Sequence, residues 1–260
     1  AALSGMLTLP PASSELPVRL TLHSDQVGLT YRLPAPLAKL AATPRPLSAD
    51  ITFDREGQQL SIASAPLKAQ LELRAGLVRR GVLNVGSERP LPEPGNFLLA
   101  AAQPTLEWRP WRDWWQQLPA TVFGALSSAA PGASDPAPLQ LGFDLAVARI
   151  DQPYLNAEQF TASGQWTAGA VEFSFASSHY SGVGVWPYRG DAEQPITLAL
   201  AELKIPANSA AAQSDSPPAL NFATLPAINF SVQSLHYGQR ALGELAFELR
   251  AEPELLRFEQ

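Results

Sequence analysis

Apolar and polar residues alternate with a period of two along most of the chain. Val18, Leu20 and Leu22 are separated by polar residues, and the same pattern recurs up to the C-terminal residues. Successive side chains of a β-strand point to opposite faces, so this pattern predicts strands with one apolar and one polar face. The segment Asp54 to Gly57 separates two such stretches and is typical of a hairpin turn. The sequence therefore predicts a mostly β fold built from a long, twisted antiparallel sheet.

The composition supports many short β connections and excludes several classes of function. The 260 residues include 25 prolines, which interrupt helices and central strands. The net charge of -6, without a run of Lys and Arg, argues against nucleic acid as a partner. Cysteine is absent, so disulfides and cysteine-based metal sites are excluded. No apolar run approaches the roughly 20 residues that a membrane-spanning helix needs.

One segment departs from the alternation and follows helical spacing. Trp111, Trp114, Trp115 and Leu118 recur at intervals of three to four residues. This spacing predicts a short amphipathic helix near 110–126, stopped or kinked at Pro119.

The composition also suggests a domain organisation. The stretch 127–138 is rich in Ala, Ser, Pro and Gly, which predicts a linker or loop between a β segment at 1–126 and another at 139–260. The stretch 206–220 has the composition of a mobile loop. The first residues already read as a strand and include no start methionine, so we expect a fragment of a longer chain.

The second β segment contains a faint internal repeat. Five apolar residues match five later ones at one constant offset: Leu141, Phe143, Leu145, Leu155 and Phe160 against Ile228, Phe230, Val232, Leu242 and Phe247. The conserved spacing across the intervening turn suggests a repeated strand-turn-strand unit that stacks along one axis.

Residues that could perform chemistry are scattered. His23, His179 and His236 have no second ligand at metal-binding spacing, so no metal site is predicted. No nucleophile elbow occurs, and pairs of carboxylates such as Asp144 and Asp151 fall on predicted polar faces or turns. The sequence therefore predicts no catalytic residues, no enzyme activity and no cofactor.

The tryptophan cluster allows two interpretations. Trp108, Trp111, Trp114 and Trp115 lie within eight residues. They could form a platform on which sugars stack, or they could be the aromatic side of a helix that packs against the sheet. The helical spacing favours packing.

Several segments resemble the AsmA-like envelope proteins, and within them the YhdP family. The resemblance is carried by the stretch from Ser24 to Lys39, which contains Leu33-Pro34-Ala35-Pro36-Leu37, and by the segments 46–53, 77–86, 225–238 and 242–245. It covers most of the chain and is weakest in the linkers.

The resemblance implies a section of an open β half-pipe in the Gram-negative periplasm, belonging to a protein anchored in the inner membrane by a helix outside this fragment. Its expected partners are phospholipid and, through other parts of the protein, the inner and outer membranes. The expected function is transport of phospholipid between the membranes, which supports the outer-membrane barrier. The strand residues predicted to line the lipid groove are Phe143, Leu145, Phe173, Phe175, Leu198, Leu200, Ile228, Phe230, Val232, Leu245, Phe247 and Leu249.

Other classes of function stay open on the residues alone. The alternation fits a carbohydrate- or peptidoglycan-binding β module that uses the tryptophan cluster. It equally fits a structural envelope scaffold whose apolar faces pack into a closed sandwich. A glycosidase-like enzyme is a weaker alternative. Alternation by itself does not distinguish an apolar face that packs from one that is open to a ligand.

Overall fold

The computed structural model describes residues 2–11, 14, 16–117, 139–151, 157–167, 169–187, 194–207, 227–252 and 255–259. The chain separates into a first unit of residues 1–103 and 107–142, and a second unit of residues 104–106 and 143–260. The predicted linker 127–138, the predicted helical residues 118–126 and nearly all of the predicted loop 206–220 lie outside the described residues.

The first unit is an open sheet in which neighbouring strands follow chain order. Its short strands carry the alternation on which the prediction was based. The elements are β1 (Leu3–Thr8), β2 (Val18–Ser24), β3 (Leu47–Phe53), β4 (Gln58–Ser64), β5 (Leu67–Arg74), β6 (Leu77–Val85), β7 (Asn96–Glu107) and helix α1 (Trp108–Gln116).

The second unit is built in the same way, with strands again adjacent in chain order. The elements are β8 (Gln140–Asp151), β9 (Ala157–Trp166), β10 (Ala170–Ala176), β11 (Tyr180–Pro187), β12 (Ile196–Ile205), β13 (Ile228–Tyr237), β14 (Arg240–Glu252) and β15 (Leu255–Glu259). The predicted mostly β fold, with an open twisted sheet and one short helix, is confirmed.

Two strand pairs correct the expectation of a wholly antiparallel sheet. The strands β6 and β7 pair in parallel, with Leu83 opposite Leu99. The strands β12 and β13 also pair in parallel, with Leu198 opposite Phe230. In both places the connection is longer than a hairpin turn, because the chain must return to the starting end of the sheet before the next strand begins.

The first of these connections, residues 86–95, is held by a buried asparagine. The Asn84 side chain donates to the Arg89 carbonyl at 3.0 Å and accepts from the Arg89 N–H and the Ser87 hydroxyl, each at 2.9 Å. Asn84, Val82 and Ala100 are all buried, although they lie on the face opposite Leu83 and Leu99. The connection therefore packs on the polar face of the sheet.

Candidate functional site

The strand register of the first unit aligns apolar side chains into rows that cross all seven strands. Directly paired residues share a face, so the registers define these rows without further assumption. One row is Gly5, Leu22, Ala49, Ile62, Ala69, Leu83 and Leu99, and the next is Leu7, Leu20, Ile51, Leu60, Leu71, Gly81 and Phe97. We call these two rows the first apolar face.

The first apolar face is not covered by a second layer of the described residues. Ala49 and Ala69 are buried at 9% exposure, but every side chain larger than alanine in the two rows is half-buried or exposed. An interior sheet face in a globular domain normally buries its large apolar side chains completely. Neighbouring side chains shelter one another here, while their tips stay accessible.

The opposite face of the first unit carries the ionic groups. Arg19 and Thr21 both donate to one carboxylate oxygen of Asp50, at 3.0 and 2.8 Å, and Arg80 donates to Glu72 at 2.6 Å. The Thr21 hydrogen bond, followed by that of Arg19, lowers the pKa of the Asp50 carboxyl. These two ion pairs therefore lie on the side away from the apolar rows.

The second unit has a corresponding set of rows, which we call the second apolar face. Its first row is Gly164, Phe173, Gly184, Leu198, Phe230 and Phe247, and its second row is Ala162, Phe175, Gly182, Leu200, Val232 and Leu245. Ile228 and Leu249 form a cross-strand pair in the next row. Ten of the twelve predicted groove residues therefore share one face.

The remaining two predicted groove residues lie on β8. The Phe143 ring lies 5.2 Å from the Trp166 ring and contacts Gly164, a member of the first row. Leu145 packs against the buried cluster of Val147, Ile150 and Ala157. The structure thus brings both residues to the second apolar face, but Leu145 lies against packed side chains.

Exposure on the second apolar face varies along the strands. Leu200 and Val232 are buried, at 7% and 2% exposure, whereas Leu245 is 38% exposed. The other large side chains of the two rows are half-buried: Leu198, Phe173, Phe175, Phe230 and Phe247.

The buried part of this face lies near Tyr180. The Tyr180 ring is 5.9 Å from Phe175 and 6.4 Å from Phe160. Burial raises the pKa of the Tyr180 hydroxyl, despite an opposing hydrogen bond with Ser177. Tyr180 and Phe160 therefore belong to a local core with Val147, Ile150 and Ala157.

A shallow concavity of about 490 Å³ lies on the other side of the same strands. Its lining combines polar residues with apolar ones on the side away from the second apolar face: Ser163, Gln165, Glu172, Ser174, Thr197, Val183, Val185 and Ala199. The hydroxyls of Ser163 and Ser174 are 3.1 Å apart.

A buried lysine organises the loop between β2 and β3, a feature that the alternation did not predict. Lys39 is 4% exposed. Its Nζ donates to the carbonyls of Gln26, Leu29 and Leu40 at 2.7, 2.9 and 3.1 Å. The three ammonium hydrogens are thus matched to three acceptors. This arrangement gives Lys39, the last residue of the first resembling stretch, a structural role.

Helix α1 contacts the same loop. The Trp111 indole N–H donates to the Ala35 carbonyl at 3.0 Å, and the Trp111 and Trp114 rings meet edge to face at 5.7 Å. The predicted helix is present, but the hydrogen bond of Trp111 goes to the loop rather than to the sheet. The side chains of Trp108 and Trp115 lie outside the described residues.

The histidines lie apart from one another. His179 pairs with Ser178 at 2.7 Å and His236 with Ser234 at 2.8 Å, while His23 is exposed on the polar face of the first unit. Across the described part of the chain, no group of three His, Cys, Asp or Glu side chains could hold a metal ion.

Within the same residues, no helix has the length and apolarity needed to cross a membrane.

The comparison with protein families decides the identity of the chain. The sequence model described as YhdP protein matches residues 1–260. The chain belongs to the YhdP family. No curated protein and no solved structure matches it. Membership implies a role in lipid transport in the cell envelope. Open apolar faces are the kind of surface that can contact lipid hydrocarbon.

Proposed function

We propose that this chain is a section of a periplasmic conduit that shields the acyl chains of phospholipids as they pass between the inner and outer membranes. The observation that carries the proposal is the pair of apolar faces, each made of apolar rows in which most of the large side chains are half-buried. A hydrocarbon chain lying on such rows would remove both its own surface and theirs from water.

The energy scale explains why a continuous face is needed. Each CH₂ group in water costs about 0.8 kcal/mol relative to an apolar environment, so an acyl chain of about 16 carbons costs on the order of 12 kcal/mol. Rows that cross β1 to β7 in the first unit and β9 to β14 in the second offer many similar positions. A chain could move from one position to the next without being hydrated in full.

The distribution of charge supports movement rather than tight capture. The ion pairs Arg19–Asp50 and Glu72–Arg80 lie on the face opposite the apolar rows. Specific polar contacts on an apolar face would hold a lipid at one place, because a buried polar group is stabilised only when it finds a partner. The rows offer hydrocarbon contacts, which are not directional.

The remaining parts of the proposal follow from family membership. A periplasmic location, attachment to the inner membrane through a segment outside this chain, and support of the outer-membrane barrier are expected of a lipid conduit in this family. The proposed role is non-enzymatic, because moving a lipid along a surface requires no bond to be made or broken.

Lipid extraction tests the proposal directly. The 260-residue chain is purified from a bacterial envelope, and co-purifying lipids are identified by mass spectrometry. We expect phospholipid on the parent chain and a strong loss in the variant Phe230→Asp, which puts a charge into the first row of the second apolar face. Ser231→Asp is the matched control, since Ser231 is the next residue of β13 and points to the other face.

Three outcomes contradict the proposal. A parent chain without lipid favours a packed scaffold. Equal lipid loss in both aspartate variants means that the face assignment is wrong. Binding to a glycan array that is lost on mutating Trp114 favours the carbohydrate-binding alternative instead.

A further inference from the structure

Gly184 and Gly81, one glycine in each apolar face, are covered by side chains of adjacent strands. A Cβ built on Gly184 would lie 2.3, 2.7 and 2.9 Å from three ring atoms of Phe173. A Cβ on Gly81 would lie 2.6 Å from Leu71 Cδ2 and 2.7 Å from two ring atoms of Phe97. Real Cβ atoms essentially never make contacts below 3.0 Å, so these side chains occupy the space that a Cβ would take.

The position of these atoms fixes how high the side chains stand above the sheet. A Cβ projects directly from the pleated backbone, so an atom in its place lies at the lowest level that a side chain can reach. Phe173 is paired with Gly184 on β11 and with Gly164 on β9, and its ring extends over β11. On the other side, a Phe143 ring atom would lie 2.8 Å from a Cβ on Gly164.

The same arrangement occurs independently in the first unit. Gly81 pairs with Leu71 on β5 and with Phe97 on β7, and both neighbours reach over it. In each unit, therefore, a glycine is paired with a large cross-strand side chain that lies close to the sheet surface instead of projecting away from it.

We propose that Gly81 and Gly184 determine the depth of the apolar faces, by letting Phe97 and Phe173 lie low so that an acyl chain can rest on top of them. This inference rests on the proposed lipid function and assigns it two specificity-determining positions. Covering of glycine by an aromatic neighbour also stabilises sheets in general. A purely stabilising role predicts no link between ring position and lipid capacity, so the two roles give different results.

The variant Gly184→Ala tests the inference cleanly. The three nearest atoms all belong to the movable end of one side chain, so the Phe173 ring can rotate upward without a backbone shift. We expect a folded protein that retains several-fold less phosphatidylethanolamine carrying a fluorescent acyl chain. The double variant Gly184→Ala with Phe173→Leu removes the ring and is expected to restore retention to the level of Phe173→Leu alone. Ser174→Thr adds one methyl group on the polar face of β10 and serves as the control.

The first unit provides a second test with Gly81→Ala, and with Gly81→Ala combined with Phe97→Leu. Phe173→Leu alone leaves Gly184 in place and supplies the level of retention with which the double variant is compared. The melting temperature is measured for each variant, so that a loss of lipid through unfolding is recognised.

Each result has a defined meaning. Loss in folded glycine variants with rescue by the leucine partner supports the inference. Undiminished retention in Gly184→Ala and Gly81→Ala, or loss that the leucine partner does not rescue, overturns it while the proposed function stands. A parent chain that retains no fluorescent lipid overturns the proposed function together with the inference.

Discussion

At the scale of the residue, one buried side chain, that of Lys39, organises the loop between β2 and β3. The loop between β2 and β3 folds around its ammonium group, and Arg45 adds a guanidinium 5.9 Å from the Tyr31 ring centroid. Buried carbonyl groups need donors, and an interior lysine that donates to three of them fixes the path of the loop. Trp111 then binds the outside of this loop through Ala35.

The lysine cluster leads to a stability prediction. In Lys39→Met the three carbonyls lose the ammonium donor while most of the packing volume is kept, although those of Gln26 and Leu40 still accept from the Leu29 and Thr43 N–H groups. We expect the free energy of unfolding to fall by about 1–3 kcal/mol, measured by urea denaturation. The control is Lys204→Met, because Lys204 is exposed and its pair with Glu202 contributes only about 0–1 kcal/mol. Equal small effects in both variants would show that the carbonyls find water instead.

At the scale of the element, equal spacing along the sequence does not give equal packing. Phe230 and Phe247 face each other across β13 and β14. The repeat relates them to Phe143 and Phe160, but Phe143 packs against Trp166 and Phe160 lies near Tyr180. The difference arises because the strand register decides which side chains meet. Leu155, another member of the repeat, lies outside the described residues.

The Phe230–Phe247 pair supports a prediction about strand pairing. The two rings are stacked, with centroids 5.0 Å apart. A double-mutant cycle with alanine at both positions should give a coupling energy of about 0.5–1.5 kcal/mol from unfolding curves. The cycle of Ser231→Ala with Phe247→Ala should be additive, since these side chains point to opposite faces. Additivity in the first cycle would show that the rings contribute only their separate burial.

At the scale of the whole molecule, lipid binding should not be confined to residues 139–260, where the sequence placed the groove. The first unit has apolar rows of its own, with Leu60 between Ile51 and Leu71. Its large side chains have the same half-buried character as those of the second unit. Two units with the same organisation are expected to share one function.

Site-specific photo-crosslinking checks this expectation. A photoreactive residue at Leu60 or at Leu198 should capture phospholipid in envelope membranes, as detected by mass spectrometry of the adduct. The same residue at Ser61 or Ala199 should capture much less, because these neighbours point to the opposite face. Capture at Leu198 without capture at Leu60 would restrict the lipid surface to the second unit.

The sequence by itself determined the strands and the two faces of each strand. The alternation of Val18, Leu20 and Leu22 places apolar side chains on one side whatever the neighbouring strand does, because the geometry of a single strand sets this period. The same local rule assigned Phe173, Leu198 and Phe230 to apolar faces. The spacing of the tryptophans likewise located helix α1.

Only the tertiary structure decided which strands pair, in which direction and register, and how far each face is covered. A parallel strand alternates just as an antiparallel one does, so the pairing of β6 with β7 and of β12 with β13 left no local signal. The hydrogen bonds of Lys39 and the position of the Phe173 ring over Gly184 form only when separate segments of the chain come together. Alternation gave each strand an apolar side, but the absence of a second layer over the large side chains of the described first apolar face is a property of the assembled sheet.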